Sequence, residues 1–105
     1  YTLYMRFEVE KLEKAQEEFD ALSQEQQLAC SKDYETIEKQ GLEFVKRRFL
    51  RDGLFEIKTN EVRSLFQYRE NKVILIGLIY VKKTQKAPGN LIKLALKRLK
   101  EAGGK

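Results

Sequence analysis

The sequence predicts an α+β fold: a three-strand antiparallel meander, with an N-terminal strand added, packed against two N-terminal helices and one C-terminal helix. Three observations carry this expectation. The unbroken apolar run Val73 to Val81 is rich in Val and Ile and ends in charge, as an interior strand buried on both faces does. Two shorter segments before it alternate with a period of two and are joined by turn signals. On either side of these strands, apolar residues recur every three or four positions, the spacing of amphipathic helices.

Taken in order, Thr2 to Arg6 alternates, with Leu3 and Met5 on one face, and supplies the N-terminal strand. From about Glu8, the spacing of Val9, Leu12, Ala15, Phe19 and Leu22 predicts a first helix. Ser23 with Gln26 three residues on has the form of a capping box, so a second helix opens there and buries Ala29 or Cys30, Tyr34 and Ile37 before Gly41 ends it. Lys46 to Arg51 reads as a transition, mixing four cations with Phe49 and Leu50; it is either a wet loop or an RNA contact through Lys46, Arg47 and Arg48. After the Asp52-Gly53 turn, Phe55 and Ile57 share one face of a strand and Glu56 and Lys58 the other. Beyond Asn60-Glu61, a second strand sets Val62, Ser64, Phe66 and Tyr68 against Arg63, Leu65, Gln67 and Arg69. Asn71 suits the tight connection to the apolar strand, because Asn tolerates the left-handed backbone. Pro88 fits the first position of the last helix, which runs to about Ala102 with Ile92, Ala95, Leu96 and Leu99 on one stripe; Asn90 is the alternative cap.

Composition narrows the function classes. A chain of 105 residues has room for one domain, here 1–105, and a modest core. The longest apolar run, residues 73–81, is too short to cross a bilayer as a helix, and no charged-then-apolar leader opens the chain, so a cytoplasmic protein without membrane contact is expected. The single cysteine, Cys30, forms no internal disulfide, and the absence of histidine removes the commonest metal ligand and acid–base group. No metal and no cofactor is expected. The net charge of +5 conceals a segregation: residues 1–45 hold 5 Lys/Arg against 11 Asp/Glu, whereas 46–105 hold 16 against 5. A basic half on a small domain is the electrostatic footprint of a partner with a phosphate backbone.

The order of an acidic helix pair, Gly53-Leu54-Phe55-Glu56-Ile57-Lys58, Val62-Arg63-Ser64-Leu65-Phe66, an apolar strand, Lys82-Lys83-Thr84-Gln85-Lys86-Ala87-Pro88 and a basic helix resembles the RelE/ParE toxin superfamily. Its phage-derived HigB-like branch is the most similar. The likeness spans roughly residues 8 to 101, and the lysine-rich element before Pro88 is its most specific part. It implies a RelE-like fold with a small curved antiparallel sheet, and the toxin of a type II toxin–antitoxin system. Such a toxin is an endoribonuclease that cuts mRNA on the 70S ribosome and is silenced by a cognate antitoxin of helix-turn-helix type. Two other activities fit the same resemblance: a ParE-like poison of DNA gyrase, and a catalytically inactive regulator that only binds its antitoxin.

Cleavage through a 2′-hydroxyl needs a base, cations on the phosphate and charge or a proton at the leaving oxygen. Without imidazole the work falls to Lys and Arg, and the resemblance places it on Lys58, Arg63, Lys82 and Lys83. Lys58, crowded by cations, is the candidate base, or else an exposed lysine paired with Glu56. Arg63 clamps the scissile phosphate with its planar fork, or else makes a cross-strand ion pair. Lys82 or Lys83 supplies charge at the leaving group, because alternation lets only one of them share the catalytic face. Lys86 joins them on phosphates, Thr84 and Gln85 on backbone or a base edge. Gln67 and Tyr68 complete the RNA-binding set; Tyr68 and Tyr80 are stacking candidates, with core packing as the other fate. The chain departs from the pattern at Val62, where many relatives carry an aromatic residue, at Leu78 in place of His and at Ala87 in place of Thr.

Overall fold

The computed structural model describes residues 7–83 and 88–103. The elements in chain order are β1 (Glu8–Lys11), α1 (Glu13–Asp20), α2 (Gln24–Gln40), β2 (Lys46–Arg51), β3 (Leu54–Thr59), β4 (Val62–Arg69), β5 (Val73–Val81) and α3 (Gly89–Glu101). The sheet order is β1-β5-β4-β3-β2. The expected α+β class and the β3–β4–β5 meander are present, but the sheet has five strands among the described residues and is mixed, because β1 runs parallel to β5 while the other pairs are antiparallel.

Both added strands lie where the sequence signal is weakest. Residues 8–11 were expected to open the first helix. Glu8-Val9-Glu10-Lys11 fits either period, and the exposed edge of β5 decides it by pairing Glu8 with Val73 through Lys11 with Ile76. Leu12 N then donates to Ile76 O at 2.9 Å and α1 begins one residue later. The outer side of β1 is tied to α2, since Val9 N donates to Glu38 Oε2 at 3.0 Å. Lys46–Arg51 is likewise a strand and not a loop; its side chains are nearly all exposed, so the β3 ladder and the Phe49–Phe55 ring contact hold it rather than burial. The strand expected at Thr2 to Arg6 lies outside the described residues.

The remaining local signals act as expected. Ser23 Oγ accepts from Gln26 N while the Gln26 side chain accepts from Ser23 N, the reciprocal cap that satisfies two free donors. Asp52, Asn60 and Asn71 take the left-handed backbone at the three hairpin connections, with Gly53 beside the first. Pro88 is the exception: it stands one place before α3 and not at its first position, its carbonyl accepts from Leu91 and Ile92, and among the described residues no side chain, that of Asn90 included, caps the helix.

Two cores sandwich the sheet. On one face α1 and α2 bury Ala15, Cys30, Tyr34 and Ile37 against Ile57, Val62, Phe66, Ile74 and Ile76. On the other, Ala95 and Leu99 of α3 pack on Leu54, Leu65 and Leu78. A bulge in β5 links them: Leu65 pairs with Leu78 and Phe66 with Ile76, so Gly77 is left over and shares the α3 face with Leu78. A side chain there would strike Leu99. Because β1 ends at Lys11, the outer edge of β5 beyond Ile76 has no strand partner among the described residues. Glu18 of α1 and Arg98 of α3 fill the gap: Ile79 N donates to Glu18 Oε1 at 2.9 Å, Arg98 donates to Gly77 O at 3.0 Å, and the two side chains pair at 2.9 Å.

Candidate functional site

Strand register brings the candidate cations together on the α3-side face, beyond the reach of α3. Lys46 of β2, Lys58 of β3, Arg63 of β4 and Tyr80 of β5 stand opposite one another as a single cross-strand row. Directly opposed side chains have Cβ atoms about 5 Å apart, and like charges there cost stability. Three adjacent cations therefore form a surface that opposes folding and attracts an anion. Lys82 N donates to Glu61 O at 2.7 Å, continuing the ladder one residue past Val81, and alternation then sets Lys82 on the Tyr80 side and the exposed Lys83 on the other.

The row has firm backing. Behind it, Thr59 Oγ1 donates to Asp33 Oδ2 at 2.6 Å and the Tyr34 hydroxyl meets Ser64 Oγ at 2.6 Å, so α2 is fastened to the chain neighbours of both Lys58 and Arg63. Lys46, Lys58 and Arg63 line an open cavity of about 600 Å³ with Lys32, Asp33 and Thr59. An adjoining cavity of about 570 Å³ shares Lys46 and Lys58 and extends to Arg47, Arg48 and Phe49. Arg63 is half-buried: its Nη1 donates to Asn60 O at 2.6 Å and Val62 O at 3.1 Å, and its buried Nε has no hydrogen-bond partner among the described residues.

The other candidates divide between the faces. Arg48 lies one row along, on the same face as Lys58. Arg47 turns to the α2 side and donates to Leu42 O at 2.9 Å. Tyr68 is also on that side, in an aromatic cluster with Phe7, Phe55 and Phe66, and 43% exposed. Gln67 shares the α3-side face with Arg63 but sits towards the opposite end of β4, where its Oε1 accepts from Arg69, which also reaches Leu99 O. Thr84, Gln85 and Lys86 lie outside the described residues.

Two residues given no role beside Arg63 by sequence reasoning belong to this face. Glu56 is not an exposed partner of Lys58: it is 2% exposed, and its ion contact is with Arg48 Nη2 at 3.0 Å. Tyr80, opposite Arg63, is held above the ordinary phenol range by burial and next by the Glu56 charge, against the opposing pull of Arg63 and Arg48. It therefore stays a proton donor. Strand counting from Arg63 finds Tyr80; the Glu56–Arg48 contact requires knowing that Arg48 is on a strand.

The profile of the family described as "Phage derived protein Gp49-like" matches residues 17–100. The chain belongs to the Gp49-like family. Among solved structures, this Gp49-like chain is similar to one chain of the toxin–antitoxin complex RelBE2 from Mycobacterium tuberculosis, at 15% identity and a TM-score of 0.59 over 73% of this chain and 92% of that one. It is also similar to a chain of the archaeal RelE–RelB complex from Pyrococcus horikoshii OT3, at 14% identity and a TM-score of 0.63 over 79% of this chain and all of that one. No curated protein matches. The Gp49-like chain thus shares the RelE fold, and none of its helices, among the described residues, is long and apolar enough to cross a membrane.

Proposed function

We propose that this Gp49-like protein is the toxin of a type II toxin–antitoxin pair and acts as an endoribonuclease on mRNA held in the ribosome. The observation that carries the reading is the Lys46–Lys58–Arg63 row, an arrangement that costs the fold stability and is relieved by a phosphate. Family membership and the likeness to chains solved in toxin–antitoxin complexes support it. The partner on this reading is a helix-turn-helix antitoxin that covers the basic face.

In this mechanism Arg63 leaves the Asn60 carbonyl and grips the scissile phosphate, which gives its unpartnered Nε an acceptor. Lys58, acting in its neutral amine form between two cations, takes the proton from the 2′-hydroxyl, whose oxygen attacks phosphorus and forms a 2′,3′-cyclic phosphate. The 5′-oxygen departs beside Lys82 and takes its proton from Tyr80, the phenol opposite Arg63 on the row. Catalysis by lysine and arginine is slow on free RNA and gains most from a ribosome that fixes the nucleophile in line.

Induction in a bacterial host followed by mapping of mRNA ends tests this. Codon-phased cuts are expected, with Arg63→Ala and Lys58→Ala each reducing cleavage by about 10²–10³-fold and leaving the far-ultraviolet spectrum unchanged. Full growth arrest by a folded Arg63→Ala protein overturns the assignment, and filamentation with DNA damage in place of mRNA cuts would transfer the activity to gyrase.

A further inference from the structure

Glu56 is the one carboxylate among the described residues that is almost wholly buried, and it sits in the middle of a cationic face. Its neighbours across the sheet are Arg48 on β2 and Leu65 on β4. Burying a carboxylate is costly unless its oxygens are well paired. Here the pairing is thin: the Arg48 side chain is 46% exposed, and Glu56 Oε2 lies 3.0 Å from Arg48 Nη2 without forming a hydrogen bond of good geometry. An apolar residue would serve the fold at least as well at this position, as replacement of buried ion pairs commonly shows. The carboxylate is therefore unexplained by stability.

What it does accomplish is geometric. Arg48 is on an edge strand whose side chains are otherwise unrestrained by burial, one row from Lys46 and Lys58. Resting on the proposed reaction, we propose that Glu56 is a positioning residue: its charge, 3.0 Å from Arg48 Nη2, holds the Arg48 guanidinium beside the Lys46–Lys58–Arg63 row, so that a fourth cation meets the RNA phosphates. The same negative charge contributes to keeping the Tyr80 phenol protonated.

Glu56→Gln keeps the shape and removes the charge. The thermal midpoint is expected to stay level or rise, while single-turnover cleavage of ribosome-bound mRNA falls at least tenfold. Binding of a uniform RNA oligonucleotide is expected to hold or tighten, since a negative charge has left the site. In an Arg48→Gln background, Glu56→Gln should lower cleavage no further, because the two act as one unit. ¹⁵N relaxation of the Arg48 Nε–H, which needs no RNA, should show the side chain ordered in the wild type and mobile in Glu56→Gln. Unchanged cleavage, additive losses, cleavage that falls only in step with the thermal midpoint, or an Arg48 equally ordered in both proteins would each overturn the inference. A wild-type protein that cuts nothing refutes the reaction instead, and the relaxation measurement still decides whether Glu56 holds Arg48.

Discussion

Replacing Gly77 by Ala tests the way the two cores meet at the sheet. The added Cβ would lie 2.7 Å from Leu99 Cγ and 3.0 and 3.1 Å from its methyl carbons, where carbon atoms rest at about 3.5–4.0 Å. Leu99 is fully buried between α3 and Leu65, Leu54 and Leu78, so it has no solvent to retreat into. Overpacking of this kind costs about 1–3 kcal/mol. Against it stands the reduced freedom of the unfolded chain, worth about 0.4–1 kcal/mol when Gly becomes Ala. The net expectation is a loss of about 0.5–2 kcal/mol, which by the usual size scaling lowers the melting midpoint by roughly 2–16 °C. Urea denaturation of the single and double variants checks the cause. Leu99→Ala alone should cost about 2–5 kcal/mol through the cavity it leaves, and Gly77→Ala added to it should be neutral or stabilising. The steric account fails if Gly77→Ala destabilises both backgrounds equally.

Further outcomes follow from local features. Ser23→Ala removes the oxygen that accepts from Gln26 N and should lower stability by about 1 kcal/mol in the same assay, with Ser23→Asn close to wild type. Burial is the first cause raising both Tyr34 and Cys30 above their ordinary ranges. In the unfolded chain these acids lose their protons first, near pH 8.5 for the thiol and 10 for the phenol, so the folded state binds more protons and stability should fall as pH rises through that window. Denaturation at pH 7 and pH 10 measures the drop, and Cys30→Ala should remove most of it, because the thiol titrates lower in the unfolded chain; Tyr34→Phe should cost about 1–3 kcal/mol at pH 7 by leaving Ser64 unpaired.

Local chemistry made much of this molecule legible. The Ser23–Gln26 cap, Gly41, the Asn60 and Asn71 connections and the period-two strands are all set by contacts within a few residues. β1 was not legible because four residues compatible with either period were decided by a partner strand far along the chain. β2 was not legible because an edge strand held by its ladder needs no apolar alternation. Within the site, Lys58 and Arg63 could be placed on one face by counting, and the same counting already set Tyr68 on the face opposite Arg63. Glu56 beside Arg48 could not be found that way, since its meaning depends on β2.

The patch formed by Glu18 and Arg98 has a consequence for how the chain melts. It bonds α1 on one side of the sheet directly to α3 on the other, joining residues 80 positions apart through the gap where β1 stops. Loosening the C-terminal helix therefore takes the Arg98 bond from Gly77 O and leaves the Glu18 carboxylate, still bonded to Ile79 N, without its counter-ion, so the N-terminal layer is weakened in the same event. The two layers are therefore expected to melt together, which coincident transitions in the far- and near-ultraviolet would show.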